Sequence, residues 1–123
     1  MKIIVVGLGI QGHKRREFAA DDFVAAVDPD HADAMYDAVS DVPLDTYDAA
    51  QVCTPDASKC GILQYLLANG KHALVEKPLW APTEQHLTEL QILAQENDAI
   101  LYTAYNHRFE PNFVHASEAI RSG

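Results

Sequence analysis

Apolar and polar positions along the chain fall into two alternating kinds of segment. Short β-branched or apolar runs occupy residues 2–6, 23–27, 49–54, 72–75 and 100–105, each consistent with a strand buried on both faces. Between them the spacing lengthens to that of a helix, over residues 13–20, 32–39, 56–68 and 83–96. In the third helix Ile62, Leu63, Leu66 and Leu67 share one face, and Asn69 and Gly70 supply a stop. In the fourth, Leu87, Leu90, Leu93 and Ala94 form the core stripe behind Thr83, a good N-cap. Strict alternation with short loops predicts a doubly wound α/β fold, a parallel sheet with right-handed crossovers and helices on both faces. Such sheets bind ligands beyond the carboxyl ends of their strands, so the loops after the strands carry the chemistry.

The first of these loops is "GLGIQG", with Gly7, Gly9 and Gly12 in GxGxxG spacing at the opening of a helix. Alone, three such glycines describe a tight strand-to-helix turn. Here they follow a β-branched strand, and a second strand ends in Asp28, about 20 residues after Gly7, where the dinucleotide-binding fingerprint places its acidic residue. Gly7 permits the turn, Gly9 lets backbone approach a pyrophosphate, and Gly12 allows helix and strand to pack closely. Ile10 and Gln11 lie in this loop, ahead of a helix whose N-terminal N–H groups and partial positive charge suit phosphate. Asp28 would accept hydrogen bonds from the adenosine ribose and repel a 2′-phosphate, which favours NAD over NADP. Arg15 and Arg16 stand near enough in sequence to swing toward such a phosphate, which tempers that preference.

The third strand runs into Thr54 and Pro55, then Asp56, a turn and helix cap whose position makes Thr54 and Pro55 candidates for lining the cofactor. The fourth runs into "VEKPLW". By composition alone Glu76 and Lys77 there read as a solvated pair at a loop entrance, and the proline that follows shifts the weight toward site residues. Pro78 fixes the backbone where the strand leaves the sheet, so Lys77 would be held over the crevice to donate a hydrogen bond or proton to a hydroxyl or carbonyl, with Glu76 orienting it. The last strand leads to Asn106, His107 and Arg108 on the same sheet edge; His107 alone in a loop reads as a surface or packing residue.

Composition narrows the partners. A formal charge of −9, with aspartates concentrated between Asp21 and Asp48, argues against a nucleic-acid face. The basic cluster Lys14, Arg15 and Arg16 reads as an exposed helix face. The longest apolar run near the start, "IIVVGLGI", is too short to span a bilayer and lacks a secretory cleavage site, so no membrane partner and a cytoplasmic location are expected. Cys53 and Cys60 match neither a redox nor a zinc spacing and read as reduced packing residues.

The segments "VVGLGIQG", "VDPD", "VCTPDASK", "GKHALVEKPL" and "YNHRFEP", in this order, resemble the N-terminal half of the Gfo/Idh/MocA oxidoreductases. The resemblance implies a Rossmann domain over residues 1–105, followed at 106–123 by a loop and a helix from about Pro111 leading toward a C-terminal α/β substrate domain outside these 123 residues. It implies an NAD(P) cofactor and hydride transfer at a carbon of a sugar, cyclitol or related hydroxy compound. Lys77 would match the family lysine beside nicotinamide and substrate. Glu76 would stand on the cofactor side with Gly7, Gly9, Ile10, Gln11, Gly12, Asp28, Thr54 and Pro55, and Asn106 and Arg108 on the substrate side. Two departures stand out. The stretch "SDVPLDTYDA" is compressed, so the edge strand near the adenine is expected to be minimal, and Lys59 stands where many members carry histidine. Without a substrate domain this stretch of chain would be inactive or weakly active, a monomer or weak dimer. A stand-alone NAD-sensing or partner-dependent module, or a relative using NAD transiently for glycoside cleavage or epimerisation, are the other readings.

Overall fold

The structure, a computed structural model, describes residues 1–104. Five strands, β1 (Ile3–Val6), β2 (Phe23–Val27), β3 (Ala49–Val52), β4 (His72–Glu76) and β5 (Leu101–Ala104), form one sheet in the order β2-β1-β3-β4-β5. Every pairing is parallel. Helices α1 (Ile10–Ala19), α2 (Asp56–Ala68) and α3 (Glu84–Glu96) make the crossovers. The strand order reverses around β1, so the crevice at the switch point opens between β1 and β3, above Gly7 and Cys53. The expected doubly wound sheet is therefore present.

Alternate side chains of the strands serve opposite faces. Ile4 and Val6 of β1 join Val52, Val75, Leu63, Leu66, Leu67 and Leu90 in the main core, all within a few per cent of complete burial. Each such aliphatic side chain stabilises the fold by about 1.5–3 kcal/mol relative to an exposed one. Val5, Leu8 and Ala26 form a smaller cluster on the other face with Phe23 and Ala34. Thr83 caps α3 as expected, its side chain accepting from the His86 N–H. Gly70 takes a left-handed φ of 70° just after α2, where the glycine stop was expected.

The helix expected over residues 32–39 does not form. Its backbone donors go elsewhere: the Met35 and Tyr36 N–H groups donate to Ala26 O, and the Asp28 N–H to Tyr36 O. Tyr36 makes a single parallel bridge with Val27, and two short 3₁₀ turns, Val39–Asp41 and Leu44–Thr46, complete the connection. This bridge is all that remains of a strand beyond β2, in line with the compressed sequence. Polar side chains assist: Asp28 Oδ1 accepts from the Asp30 N–H at 2.9 Å and His31 Nδ1 from the Asp33 N–H at 3.1 Å, local bonds that compete with helix. Elsewhere the differences are at boundaries. Helix α1 starts at Ile10 rather than His13, and β3 stops at Val52. Asn106, His107, Arg108 and the helix anticipated from Pro111 lie outside the described residues.

Packing of α1 on the sheet depends on Gly12. A Cβ there would be driven into the Gly7 carbonyl oxygen, and the nearest movable side chain, Val5, is no relief. At Gly9 a Cβ would meet nothing within 4 Å. Gly12→Ala should therefore cost about 2 kcal/mol or more by overpacking, whereas Gly9→Ala should change stability by no more than about 0.5 kcal/mol; urea unfolding of the two variants measures the contrast.

Candidate functional site

The crevice is built from the ends of three strands. Gly7 leaves β1 with φ 91°, and its N–H donates to Val27 O at 2.7 Å while the Cys53 N–H donates to Val6 O at 2.7 Å. The first loop is thus tied to β2 and β3 together. A cavity of about 770 Å³ opens above it, lined by Gly7, Gly9, Asp28, Thr54 and Pro55 among others. These five are sequence-predicted residues. Cys53, Asp30, Asp37, Val39, Ser58 and Ile62 line it as well; Asp37 and Val39 belong to the segment expected to be helical, and the others reach the cavity through packing that local sequence does not specify.

The wall at the end of β2 is fixed by hydrogen bonds. Asp28 Oδ2 accepts from the Leu8 N–H at 2.8 Å, and Oδ1 from the Asp30 N–H. These two bonds, Leu8 first, hold the carboxyl below the usual carboxylate range; burial opposes them and His31 adds a smaller lowering. Asp28 therefore stands as an anion with one oxygen bound to the glycine loop and the other to its own turn, each with lone pairs still available.

The start of α1 reaches the cavity through Gly9, while Ile10, Gln11 and Gly12 lie outside its lining. Gly9 is the extended N-cap of the helix and contributes no side-chain bond, and no acidic residue occupies the first turn. The opening N–H groups of a helix have no intrahelical acceptor, so Ile10, Gln11 and Gly12 present backbone donors beside a glycine with free space. Gly12 itself is buried and serves packing, whereas Ile10 is 79 % exposed. On the third side, the buried Thr54 Oγ1 has no hydrogen-bond partner among the described residues. An open glycine, unpaired helix N–H groups, an anion at the end of β2 and an orphaned hydroxyl fit a dinucleotide.

The basic residues are placed otherwise than the sequence implies. Arg15 is not part of an exposed face: it is largely buried and its Nε donates to Glu76 Oε1 at 2.5 Å. Arg16 lies over the Phe23 ring, 4.8 Å from its centre. The Glu76 carboxylate thus meets Arg15, in place of the expected pairing with Lys77. Glu76 and Lys77 stand at the carboxyl end of β4, outside the residues lining the cavity, and Lys77 is exposed with its bond to Pro78 cis. The Cys53 thiol is pushed up to about 12, mainly by burial and then by the Glu76 charge, consistent with an inert packing thiol.

Fold and crevice define a class, the NAD-binding Rossmann domain of an oxidoreductase. The family model described as "Oxidoreductase family, NAD-binding Rossmann fold" matches residues 1–105, and the chain belongs to this Gfo/Idh/MocA family. Inositol 2-dehydrogenase of Rhizobium meliloti is 29% identical over 76 residues, covering 62% of this chain and 23% of that protein. Among solved structures, GenD2 from gentamicin A biosynthesis in complex with NAD is 30% identical with a TM-score of 0.82, covering 97% of this chain and 38% of that one. The WlbA dehydrogenase of Thermus thermophilus, in complex with NAD and alpha-ketoglutarate, shares the fold at a TM-score of 0.86 and 18% identity, covering 100% of this chain and 47% of that one. The chain thus spans less than half the length of these relatives. Among the described residues no helix is long and apolar enough to cross a membrane.

The lowered Asp28 carboxyl has a consequence for acid stability. A depressed folded pKa contributes stability that is complete above the unfolded value near about 4 and lost as pH falls through the folded value. Asp28→Asn should lose about 1–2 kcal/mol at pH 7 by weakening charge-assisted bonds to Leu8 and Asp30, and the deficit should shrink below pH about 4. Urea midpoints across that range test it.

Proposed function

We propose that this chain is the cofactor-binding part of a dehydrogenase that transfers hydride between NAD and a carbinol carbon of a sugar, cyclitol or related hydroxy compound. The observation that carries the reading is the charge of the crevice. Asp28, Asp30 and Asp37 all line it, while Arg15 and Arg16 are engaged with Glu76 and Phe23. A 2′-phosphate would meet carboxylates and find no free arginine of α1, which favours NAD over NADP. The related inositol 2-dehydrogenase supports the substrate class.

In this reading the N–H groups of Ile10, Gln11 and Gly12, with Gly7 and Gly9 giving close approach, hold the pyrophosphate. Asp28 holds the adenosine ribose, and Thr54 and Pro55 pack along the dinucleotide. NAD, when bound, supplies the hydride acceptor. Lys77 donates a hydrogen bond from its ammonium to the substrate oxygen and stabilises charge developing there as the hydride leaves carbon. An ammonium already protonated accepts nothing, so the hydroxyl proton passes to a base elsewhere in the enzyme. Glu76, bound to Arg15, shapes the segment that carries Lys77, and Asn106 and Arg108 complete the substrate side.

Calorimetric titration with NADH and NADPH tests the cofactor assignment: NADH should bind at least about tenfold tighter, as expected where an added dianion faces carboxylates, and the absence of NADH binding at millimolar concentration would overturn it. In a catalytically competent relative carrying the same Glu-Lys-Pro segment, replacing the lysine that matches Lys77 with alanine should cut turnover by about 100-fold. NADH affinity should fall only about three- to fivefold. A fall confined to affinity would refute the role given to Lys77.

A further inference from the structure

Among the described residues, the charged side chain buried most completely is Lys59, at 2 % exposure. It lies on α2, and its Nζ donates to three acceptors: Asp56 Oδ1 at 2.9 Å, Glu76 O at 2.9 Å and Pro78 O at 2.8 Å. An ammonium has three N–H donors, so its hydrogen-bonding capacity is fully used. One acceptor is a carboxylate from the first turn of the same helix, which balances the charge. The other two are the main-chain carbonyls on either side of Lys77.

Removing an ammonium from water is costly unless it is paired and fully hydrogen-bonded. If α2 needed only to pack against the end of β4, an apolar side chain would fill the space without that cost. What an apolar side chain does not do is hold two carbonyls of a loop at one point. Glu76 is the last residue of β4, paired with Ala104 of β5, and among the described residues Lys77 and Pro78 beyond it have no strand partner, so their backbone direction depends on such ties. A second tie, from the α1 side, is the bond of Arg15 to the Glu76 carboxylate. The segment bearing the exposed Lys77 is thereby gripped from both neighbouring helices.

We propose that Lys59 is a positioning residue, an internal clamp from α2 that fixes the carbonyls of Glu76 and Pro78 and so aims Lys77 at the nicotinamide end of the crevice. The inference rests on the placement of Lys77 beside the nicotinamide given above. Lys59 itself touches neither cofactor nor substrate. Its effect is confined to the end of the crevice that β4 borders, and the wall formed by Gly7, Gly9 and Asp28 does not depend on it.

That division supplies the test. Calorimetry on this chain compares NADH with ADP-ribose, which lacks the nicotinamide. Lys59→Met should weaken NADH about three- to fivefold by misplacing the loop and leave ADP-ribose unchanged. Equal loss for both ligands, the mark of general structural damage, or no loss for either would overturn the clamp. Asp56→Asn, which removes the charge at a half-exposed site but keeps an oxygen that can accept from Lys59, gives a second reading should Lys59→Met fail to fold. It should produce a smaller loss with the same selectivity for NADH, and an unselective loss or none would again overturn the proposal. Lys77→Ala separates the two levels of the argument. If it alters neither ligand, the placement of Lys77 fails and the clamp with it. If it weakens NADH alone while the Lys59 and Asp56 variants do not, only the clamp fails.

Discussion

The organisation of this domain depends on the crowding around Gly7, at the carboxyl end of the central strand. Its N–H reaches Val27 O on one side, and on the other a Cβ would come within 2.7 Å of the Cys53 carbonyl. With φ at 91° and no room for a side chain, only glycine closes this turn. Because three strand ends meet there, the crevice has a floor of main chain. Helix α1 is set down directly beyond it, with its N-terminus facing the open space left at Gly9. The anion at Asp28 is then secured by the Leu8 N–H of the same loop. One steric constraint therefore places donors, acceptor and floor together.

Charge is distributed around that floor in a consistent way. The carboxylates of Asp28, Asp30 and Asp37 stand at the crevice, whereas Arg15, Arg16 and Lys59 are turned to internal partners: a carboxylate, an aromatic face and two carbonyls. The chain carries 9 lysines and arginines against 18 aspartates and glutamates, and part of that small basic set is committed to holding loops. Arg15 and Lys59 converge on the end of β4 from α1 and α2. They join the cofactor loop and the Glu-Lys-Pro segment through side chains, since no strand pairing does so.

Family membership and the NAD-binding fold account for the parallel sheet and its glycine loop. The relatives solved with NAD share the fold over 97% and 100% of this chain. What distinguishes this chain lies where its sequence departs from the resemblance. The connection from β2 to β3 is reduced to a bridge at Tyr36 and two short turns, which puts Asp37 and Val39 at the crevice. Lys59, on α2, supplies a cation with three donors.

Much of the fold was legible in the chain because local chemistry decides it. Alternating apolar runs specify buried parallel strands, leucine spacing specifies the faces of α2 and α3, and the glycines with Asp28 mark the first loop. Those patterns located Gly7, Gly9, Asp28, Thr54 and Pro55, all of which meet at one cavity. Residues 32–39 were misread as helix because their periodicity is local, while the bonds that win, from Met35 and Tyr36 to Ala26, join segments brought together only by the sheet. The roles of Arg15 and Lys59 were hidden for the same reason. Each lies in a helix whose pattern leaves polar positions free to face water, and each finds its partner at β4, 61 and 17 residues away. Sequence determined which segments become strands and helices and where a dinucleotide loop must lie. Tertiary structure alone decided which charges meet, because burial and pairing of a cation depend on neighbours that only the folded sheet supplies.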